Sequence, residues 1–341
     1  MSAPRPIEIV GGGLAGLALG LALRRHHIPV RLFDAGDYPR HRVCGEFITG
    51  LSAATIARLG IGPALADALP HREVAWFYRE QRVRCQRLPA PALGLSRHAL
   101  DARLAAAFVA AGGSLHPHTR ITDRETPPGR VFATGRRRAG AAWLGLKVHA
   151  VALSLERDLE LHLGDGAYVG LSRVERGRVN VCGLFHRRAL CARGPGLLVA
   201  YLRAAGLTAL AERLLAGRPE SASFCAVAAL PLADRLPAPD TRVVLGDACA
   251  AIPPFTGNGM AMAFQSAELA LDPLVAYARG DLAWMPACGR LRDALRRRFR
   301  LRLAAAGLLH PFLLQPRRQR WLARLARTRL LPFRPLYAAL H

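Results

Sequence analysis

Two glycine-rich loops and two carboxylates, far apart in the chain, carry the clearest chemical potential. Near the N-terminus, IEIVGGGLAGLALGLAL sets Gly11, Gly12, Gly13 and Gly16 directly after four strand-forming residues, Ile7 to Val10. Lacking Cβ atoms, such a turn lets the main chain approach a pyrophosphate at the N-terminus of the helix that follows. Asp34 stands 18 residues beyond Gly16, where a carboxylate can accept hydrogen bonds from both hydroxyls of an adenosine ribose. These residues would serve NAD and FAD equally well.

The second loop separates the two. Residues 242–270 read RVVLGDACAAIPPFTGNGMAMAFQSAELA. After an expected strand, Arg242 to Leu245, the pair Gly246 and Asp247 makes a tight turn that offers a carboxylate to a ribityl chain. The run from Pro253 and Pro254 to Gly257, Asn258 and Gly259 then opens a helix. Its N-terminal N–H groups and positive dipole end suit the electron-rich pyrimidine edge of a reduced flavin. NAD has no such moiety, so the two loops in this order specify FAD.

Lys147 and His149 lie two apart on an expected strand and share a face. Toward the flavin they would form a proton relay or an oxyanion-stabilising pair; toward solvent they are surface residues, the reading favoured for His149. Lys147 is the only lysine among 48 basic residues. A site needing a compact ammonium, or one able to lose its proton, explains why arginine does not stand there, and Lys147 is then expected to face the isoalloxazine or the substrate. The alternative is a chance survivor of arginine-biased coding.

These residues need a scaffold, and the pattern supplies one. The two nucleotide-binding halves are so far apart that the flavin domain must be discontinuous. Between them, from Leu144 to Phe185, short alternating stretches are punctuated by turns at Gly164-Asp165-Gly166 and Glu175-Arg176-Gly177, which predicts an antiparallel sheet. Residues 73–88 alternate likewise and are expected to pair with it. A helix is predicted over 197–217 and two or three more from 286. The expectation is an α/β fold with a Rossmann-type FAD-binding domain (1–69, 93–143 and 238–285), an antiparallel-sheet substrate domain (70–92 and 144–237) and a basic helical C-terminal region (286–341).

Composition narrows the setting. The 341 residues hold no apolar run long enough to cross a bilayer and no signal-peptide pattern, which predicts a cytoplasmic protein. Seven cysteines with no CxxC pair fit reduced thiols, not a disulfide framework or a zinc site, and no metal ligand set is expected. The formal net charge is +24, and from residue 290 onward fourteen arginines face one acid, Asp293. Leu291, Leu295, Phe299 and Leu303 recur four apart among these arginines, and a second stretch runs from Arg317 to Leu330 around Trp321. Such stripes suit peripheral contact with an anionic membrane surface, with arginine stems snorkelling. Nucleic acid is the less favoured partner, because no nucleic-acid-binding motif accompanies the charge.

The whole arrangement resembles the FAD-binding superfamily of aromatic hydroxylases and geranylgeranyl reductases. Three further segments carry the resemblance: PRHRVCGEFITG (39–50), LSRHALDARLAAAFVAAGG (95–113) and VFATG (131–135). With the two loops they cover roughly residues 5–290. The resemblance implies that Arg97, in the pattern of Arg97, Leu100, Asp101 and Leu104, approaches the FAD diphosphate; the plainer alternative is an Arg97–Asp101 helix pair. Arg42 joins the cofactor-binding set. The Arg42-Val43-Cys44-Gly45-Glu46 segment is similar to a loop that reaches the reacting side of the flavin in the reductases. There Cys44 would relay a proton or shape the cavity and Glu46 would shift its pKa, unless Cys44 is simply a small apolar filler. Tyr168 is a candidate for the substrate wall, or else a core tyrosine.

Departures from these families bear on the reaction. Hydroxylases carry Asp-Gly where this chain has Thr134-Gly135, which weighs against direct NADPH-driven hydroxylation. The Tyr-x-Trp-x-Phe-Pro of isoprenoid reductases and the Trp-x-Trp-x-Ile-Pro of halogenases are both missing around Tyr168. The implied function is an FAD-dependent oxidoreductase acting on a small apolar substrate, lipid-like or polyketide-derived, with hydride transfer at flavin N5 that reduces or forms a carbon–carbon double bond. NAD(P)H or a reduced protein carrier would be the electron donor. The alternatives are a monooxygenase using NAD(P)H and O2, and a flavin-bearing membrane-surface protein without turnover.

Overall fold

A computed structural model describes residues 3–122, 126–136, 142–228 and 242–340. In chain order the elements are β1 (Ile7–Val10), α1 (Leu14–Arg25), β2 (Val30–Phe33), β3 (Phe47–Ile48), α2 (Ala53–Leu59), β4 (Leu69–Tyr78), β5 (Gln81–Gly94), α3 (Arg97–Ala110), β6 (Ser114–His116) and β7 (Arg130–Phe132). They continue with β8 (Trp143–Ala150), β9 (Leu159–Gly164), β10 (Ala167–Arg173), β11 (Val179–His186), α4 (Pro195–Ala204), α5 (Thr208–Ala216), β12 (Pro219–Ala228), β13 (Val243–Val244), α6 (Gly259–Arg279), α7 (Trp284–Leu314), α8 (Pro316–Arg327) and α9 (Phe333–Leu340).

Two sheets organise these elements. The first is parallel, in the order β13-β7-β1-β2-β6. Helix α1 is apolar nearly all round because it is covered on every side: Leu14 through Leu23 are all buried, and α1 packs on both α3 and α6. The second sheet runs β12-β8-β11-β10-β9-β4-β5-β3 and is antiparallel except where β4 meets β9. The chain therefore crosses between sheets several times, as a discontinuous flavin domain requires. The expected junction at 237/238 lies outside the described residues.

Hairpin turns fall where the sequence places them. Gly166 (φ +61°) closes β9 to β10, and Arg176 and Gly177 (φ +60° and +69°) close β10 to β11. The segment 73–88 does join the substrate sheet, but β4 lies parallel to β9 while β5 folds back outside it. The helix expected over 197–217 is two helices, because Gly206 (φ +73°) turns the chain between α4 and α5. Three helices form the C-terminal region.

The first apolar stripe of that region faces inward. Leu291, Leu295 and Phe299 are buried in the same core as α1, α3 and α6, and Leu303 packs against it. Toward its C-terminal end α7 changes partners, since Leu313 and Leu314 join Leu163, Tyr168 and Leu184 of the second sheet. One long helix thus spans both cores. The surface left to solvent carries Leu301, Leu308, Trp321 and Leu330 among exposed arginines.

Candidate active site

The glycine turn after β1 is shaped by what a side chain would strike. A Cβ on Gly11 (φ +110°) would lie 2.3 Å from the Ala133 carbonyl oxygen, and one on Gly16 would lie 2.1 Å from the Gly11 carbonyl oxygen. These two glycines let strand, turn and helix touch. A Cβ on Gly13 would meet nothing within 4 Å, and Gly13 borders a large cavity. The bare main chain at the start of α1 is thus open to that cavity, as close approach of a diphosphate requires.

Asp34 holds this turn in place. Its carboxylate accepts from the Gly12 N–H at 2.6 Å and the Gly36 N–H at 2.8 Å, and pairs with Arg40 at 2.7 Å. It borders the cavity together with Thr119 and Arg120. On the far side stand Gly246, Asp247, Pro254, Gly257 and Gly259, with the N-terminus of α6 behind them. Asp247 lies 3.4 Å from Arg136, which also borders the cavity. Asn258 does not: it is fully buried, donating to the Leu340 carbonyl at 2.6 Å and accepting from Thr49 Oγ1 at 3.1 Å. These bonds tie the loop to the end of α9.

The cavity encloses about 1100 Å³ and runs from these loops into an apolar chamber between the second sheet and the C-terminal helices. Val74, Trp76, Tyr168, Phe255, Phe312 and Leu336 line the chamber. Glycine main chain and carboxylates therefore occupy one end and hydrocarbon the other. The residues fit FAD at the polar end.

Arg42 and Arg97 both border the cavity, and both hold Asp101, which is completely buried. Arg97 pairs with it through two hydrogen bonds of 2.7 and 2.8 Å, and Arg42 adds one of 3.1 Å. Burial acts against the Arg97 charge, yet Asp101 more than compensates and raises its pKa. The helix pair and the cavity-facing position are thus compatible, since one carboxylate fixes two guanidinium groups at the wall.

Of the four catalytic candidates, only Cys44 borders the cavity. Burial pushes its thiol up, so it is protonated at neutral pH. Behind it, Glu46, Lys147 and His149 form one buried charge cluster with no exposed surface. Glu46 accepts from His149 Nε2 at 2.5 Å and from the Arg97 N–H at 3.0 Å, and lies 3.3 Å from Lys147 Nζ. Burial alone would raise the Glu46 carboxyl; the His149 hydrogen bond and the Lys147 charge outweigh it and hold it below the ordinary range. His149 is therefore an interior residue, not a surface one, because its strand is covered by the loop bearing Glu46. Lys147 faces Glu46 and not the cavity itself.

His41 links this cluster to the cavity. Its Nδ1 lies 3.1 Å from Lys147 Nζ, its ring stacks on His98 at 4.4 Å, and it borders the cavity. Burial, then the Lys147 charge, lowers its pKa to about 4, so it is neutral at pH 7. Sequence reasoning gave His41 no role, although it sits in the PRHRVCGE segment. Cys182 and Cys225 were also missed; both pair directly across strands with Lys147 and border the cavity, a placement set only by strand register.

The comparisons agree with this architecture. A model of the NAD(P)-binding Rossmann-like domain matches residues 9–47. A menaquinone reductase of Mycobacterium tuberculosis is 35% identical over 66 residues, a stretch of 19% of this chain and 16% of that enzyme. The chain thus matches only about a sixth of that relative's length. Solved structures match far more of it. PqsL of Pseudomonas aeruginosa, in complex with 2-aminobenzoylacetate, superposes with a TM-score of 0.72 at 17% identity, covering 93% of this chain and 98% of that one. HpxO of Klebsiella pneumoniae, complexed with FAD and uric acid, gives 0.73 at 16% identity over 98% and 96% of the two chains. The flavin-dependent brominase Bmp2 gives 0.76 at 15% identity over 99% and 93%. The chain has the fold of the FAD-binding hydroxylase-type oxidoreductases, with both glycine-rich loops bordering one shared cavity.

Proposed function

We propose that the protein is an FAD-dependent oxidoreductase acting on an apolar substrate by hydride transfer at flavin N5. One observation carries this reading: the glycine turns, Asp34 and Asp247 share a single cavity with a hydrocarbon-lined chamber. Bound FAD would supply the redox chemistry. The protein's part is to hold the dinucleotide along Gly11, Gly13 and the two helix N-termini, and to keep the chamber dry. Cys44 remains a neutral thiol on the wall. Glu46 stays charged, held by the His149 hydrogen bond and by Lys147, and the ammonium of Lys147 donates to His41 Nδ1. That leaves the proton of neutral His41 on Nε2, available to the cavity.

A second reading, monooxygenation with NAD(P)H and O2, is supported by the fold shared with PqsL and HpxO. The partial similarity to a menaquinone reductase and the Thr134-Gly135 pair support the first. Anaerobic titration of the yellow protein with NADPH separates them. Reoxidation by an unsaturated or quinonoid lipid, with no oxygen inserted when air is admitted, is expected; an oxygenated product under air would replace the first reading by the second.

We also propose that the exposed arginines of α7 and α8, with Leu301, Leu308 and Leu330 between them, rest on an anionic membrane surface. No helix among the described residues is long and apolar enough to cross a membrane.

A further inference from the structure

Helix α8 carries its arginines and its cavity residues on adjoining faces. Trp321 has Arg317 and Arg318 one turn before it and Arg324 and Leu325 one turn after, at the spacings that share a helix face. The other side of the helix, with Gln319, Ala323 and Ala326, is buried. Trp321 and Leu325 both border the chamber, yet Trp321 is 54% exposed. Pro332, just before α9, likewise borders the chamber and is exposed. Side chains that meet both the chamber and solvent mark an opening, which here lies between α8 and the start of α9.

The rim of this opening is apolar and cationic together. Along α7, Leu301, Leu308 and Phe312 stand seven and then four residues apart and so form one stripe. Leu301 is 73% exposed and Leu308 74%, while Phe312 borders the chamber and its ring lies 5.8 Å from that of Trp321. The exposed stripe therefore runs into the opening. The Arg318 guanidinium sits over the Phe312 ring at 5.3 Å, Arg296, Arg297 and Arg300 are exposed on α7, and no acidic residue follows Asp293 in the chain. An exposed apolar stripe leading to a hydrocarbon-lined chamber, with arginines around it, complements a surface that is anionic outside and hydrocarbon beneath.

We propose that the chamber opens onto the membrane-facing surface of α7 and α8, and that its occupant is a lipid drawn from an anionic bilayer past Trp321 without first dissolving in water. A chain moving from bilayer hydrocarbon to chamber hydrocarbon keeps its methylenes unhydrated throughout. The glycine-rich loops stand at the other end of the cavity, so a molecule entering past Trp321 reaches them last. This rests on the proposed membrane contact of α7 and α8 and on the chamber as the substrate site.

The test uses cis-parinaric acid, a fluorescent fatty acid that is dark in water, dimmed in vesicles carrying a nitrobenzoxadiazole-labelled lipid, and bright in a protein cavity. Offered in buffer, it should bind equally to the wild-type protein and to a variant combining Arg317→Gln, Arg320→Gln and Arg324→Gln; Arg318 is kept because it packs on Phe312. Offered in anionic vesicles, its transfer to the wild-type protein should speed up as vesicle concentration rises, as pickup during contact requires, and transfer to the variant should be at least about tenfold slower. Vesicles brominated along the acyl chains should quench the wild-type fluorescence, and Trp321→Phe, compared at equal bound fraction, should lose most of that quenching. Transfer that ignores vesicle concentration, or that is equally fast for both proteins although only the wild type sediments with vesicles, overturns the entry route and leaves the membrane contact standing; so does undiminished quenching in Trp321→Phe. A wild-type protein that does not sediment with anionic vesicles rejects contact and route together, and failure to bind the free fatty acid rejects a lipid as the occupant.

Discussion

Asp34 braces the glycine turn through Gly12 and Gly36 and borders the cavity, where we propose that it also holds the ribose of FAD. Asp34→Ala is therefore expected to weaken FAD binding on two counts, with each charge-assisted hydrogen bond worth on the order of 1.5–3 kcal/mol. Asp247→Ala should weaken it through loss of the proposed ribityl contact and of the Arg136 pair. Equilibrium dialysis against FAD checks both; full occupancy in both variants rejects the cofactor assignment. At Glu46, Lys147 and His149 the charges have no water to share, so removing one partner strands another. Lys147→Met should destabilise the protein by about 3–5 kcal/mol in denaturant unfolding. Lys147→Arg must fit a larger planar group into a sealed site and should also slow substrate-dependent flavin reoxidation by about tenfold, or 1.4 kcal/mol of barrier. A variant of wild-type stability and rate would reduce Lys147 to a neutral position. Glu160 offers a pH test. Burial would raise its carboxyl, but hydrogen bonds from His162, Arg213 and the Glu156 N–H lower it from 4.5 to about 2. A lowered folded-state pKa means stability that is complete above 4.5 and lost as pH falls toward 2. Thermal unfolding should show that decline, and Glu160→Gln should flatten it across the same window.

At the scale of elements, the C-terminal helices are walls of the chamber as much as a tail. Helix α9 contributes Phe333, Leu336, Tyr337 and Leu340 to the cavity lining, and its Leu340 carbonyl secures Asn258 in the second glycine-rich loop. A variant ending at Leu331 should open the chamber, seen as increased binding of a hydrophobic fluorescent dye, and should loosen FAD. Unchanged dye binding would mean that α9 does not close the chamber. Removing the whole region from residue 290 is a different experiment. It would take Leu291, Leu295 and Phe299 out of the main core, so loss of folding is the expected outcome.

For the molecule as a whole, charge is the most unusual property. Arg317, Arg318, Arg320 and Arg324 lie exposed on α8, and Leu308 on α7 and Leu330 after α8 are exposed as well. Changing these four arginines to glutamine should reduce binding to anionic vesicles while leaving the flavin spectrum intact. Wild-type binding should fall as salt rises, since exposed charges are screened over about 10 Å at 0.1 M ionic strength. Salt-independent binding, or equal binding to neutral vesicles, would reject a membrane contact.

The sequence by itself determined what local rules govern. Glycines at 11 and 16 must be glycines because strand, turn and helix meet there, and that requirement is written in a short stretch of neighbouring residues. Hairpin turns at Gly166 and Gly177 and the parallel strand of Ile7 to Val10 follow for the same reason. Tertiary structure decided whatever depends on residues brought together from a distance. The four-residue spacing of Leu291, Leu295 and Phe299 marked an apolar stripe, but spacing says nothing about which surface covers it, and here the flavin-domain core does. His149 looked equally able to face solvent until the Glu46 loop was laid over its strand. Cys182 and Cys225 flank Lys147 only through strand register, and His310 meets Tyr168 only because α7 runs from one core to the other. Pairings between residues far apart in the chain leave no periodic trace, so the chamber becomes visible only in three dimensions.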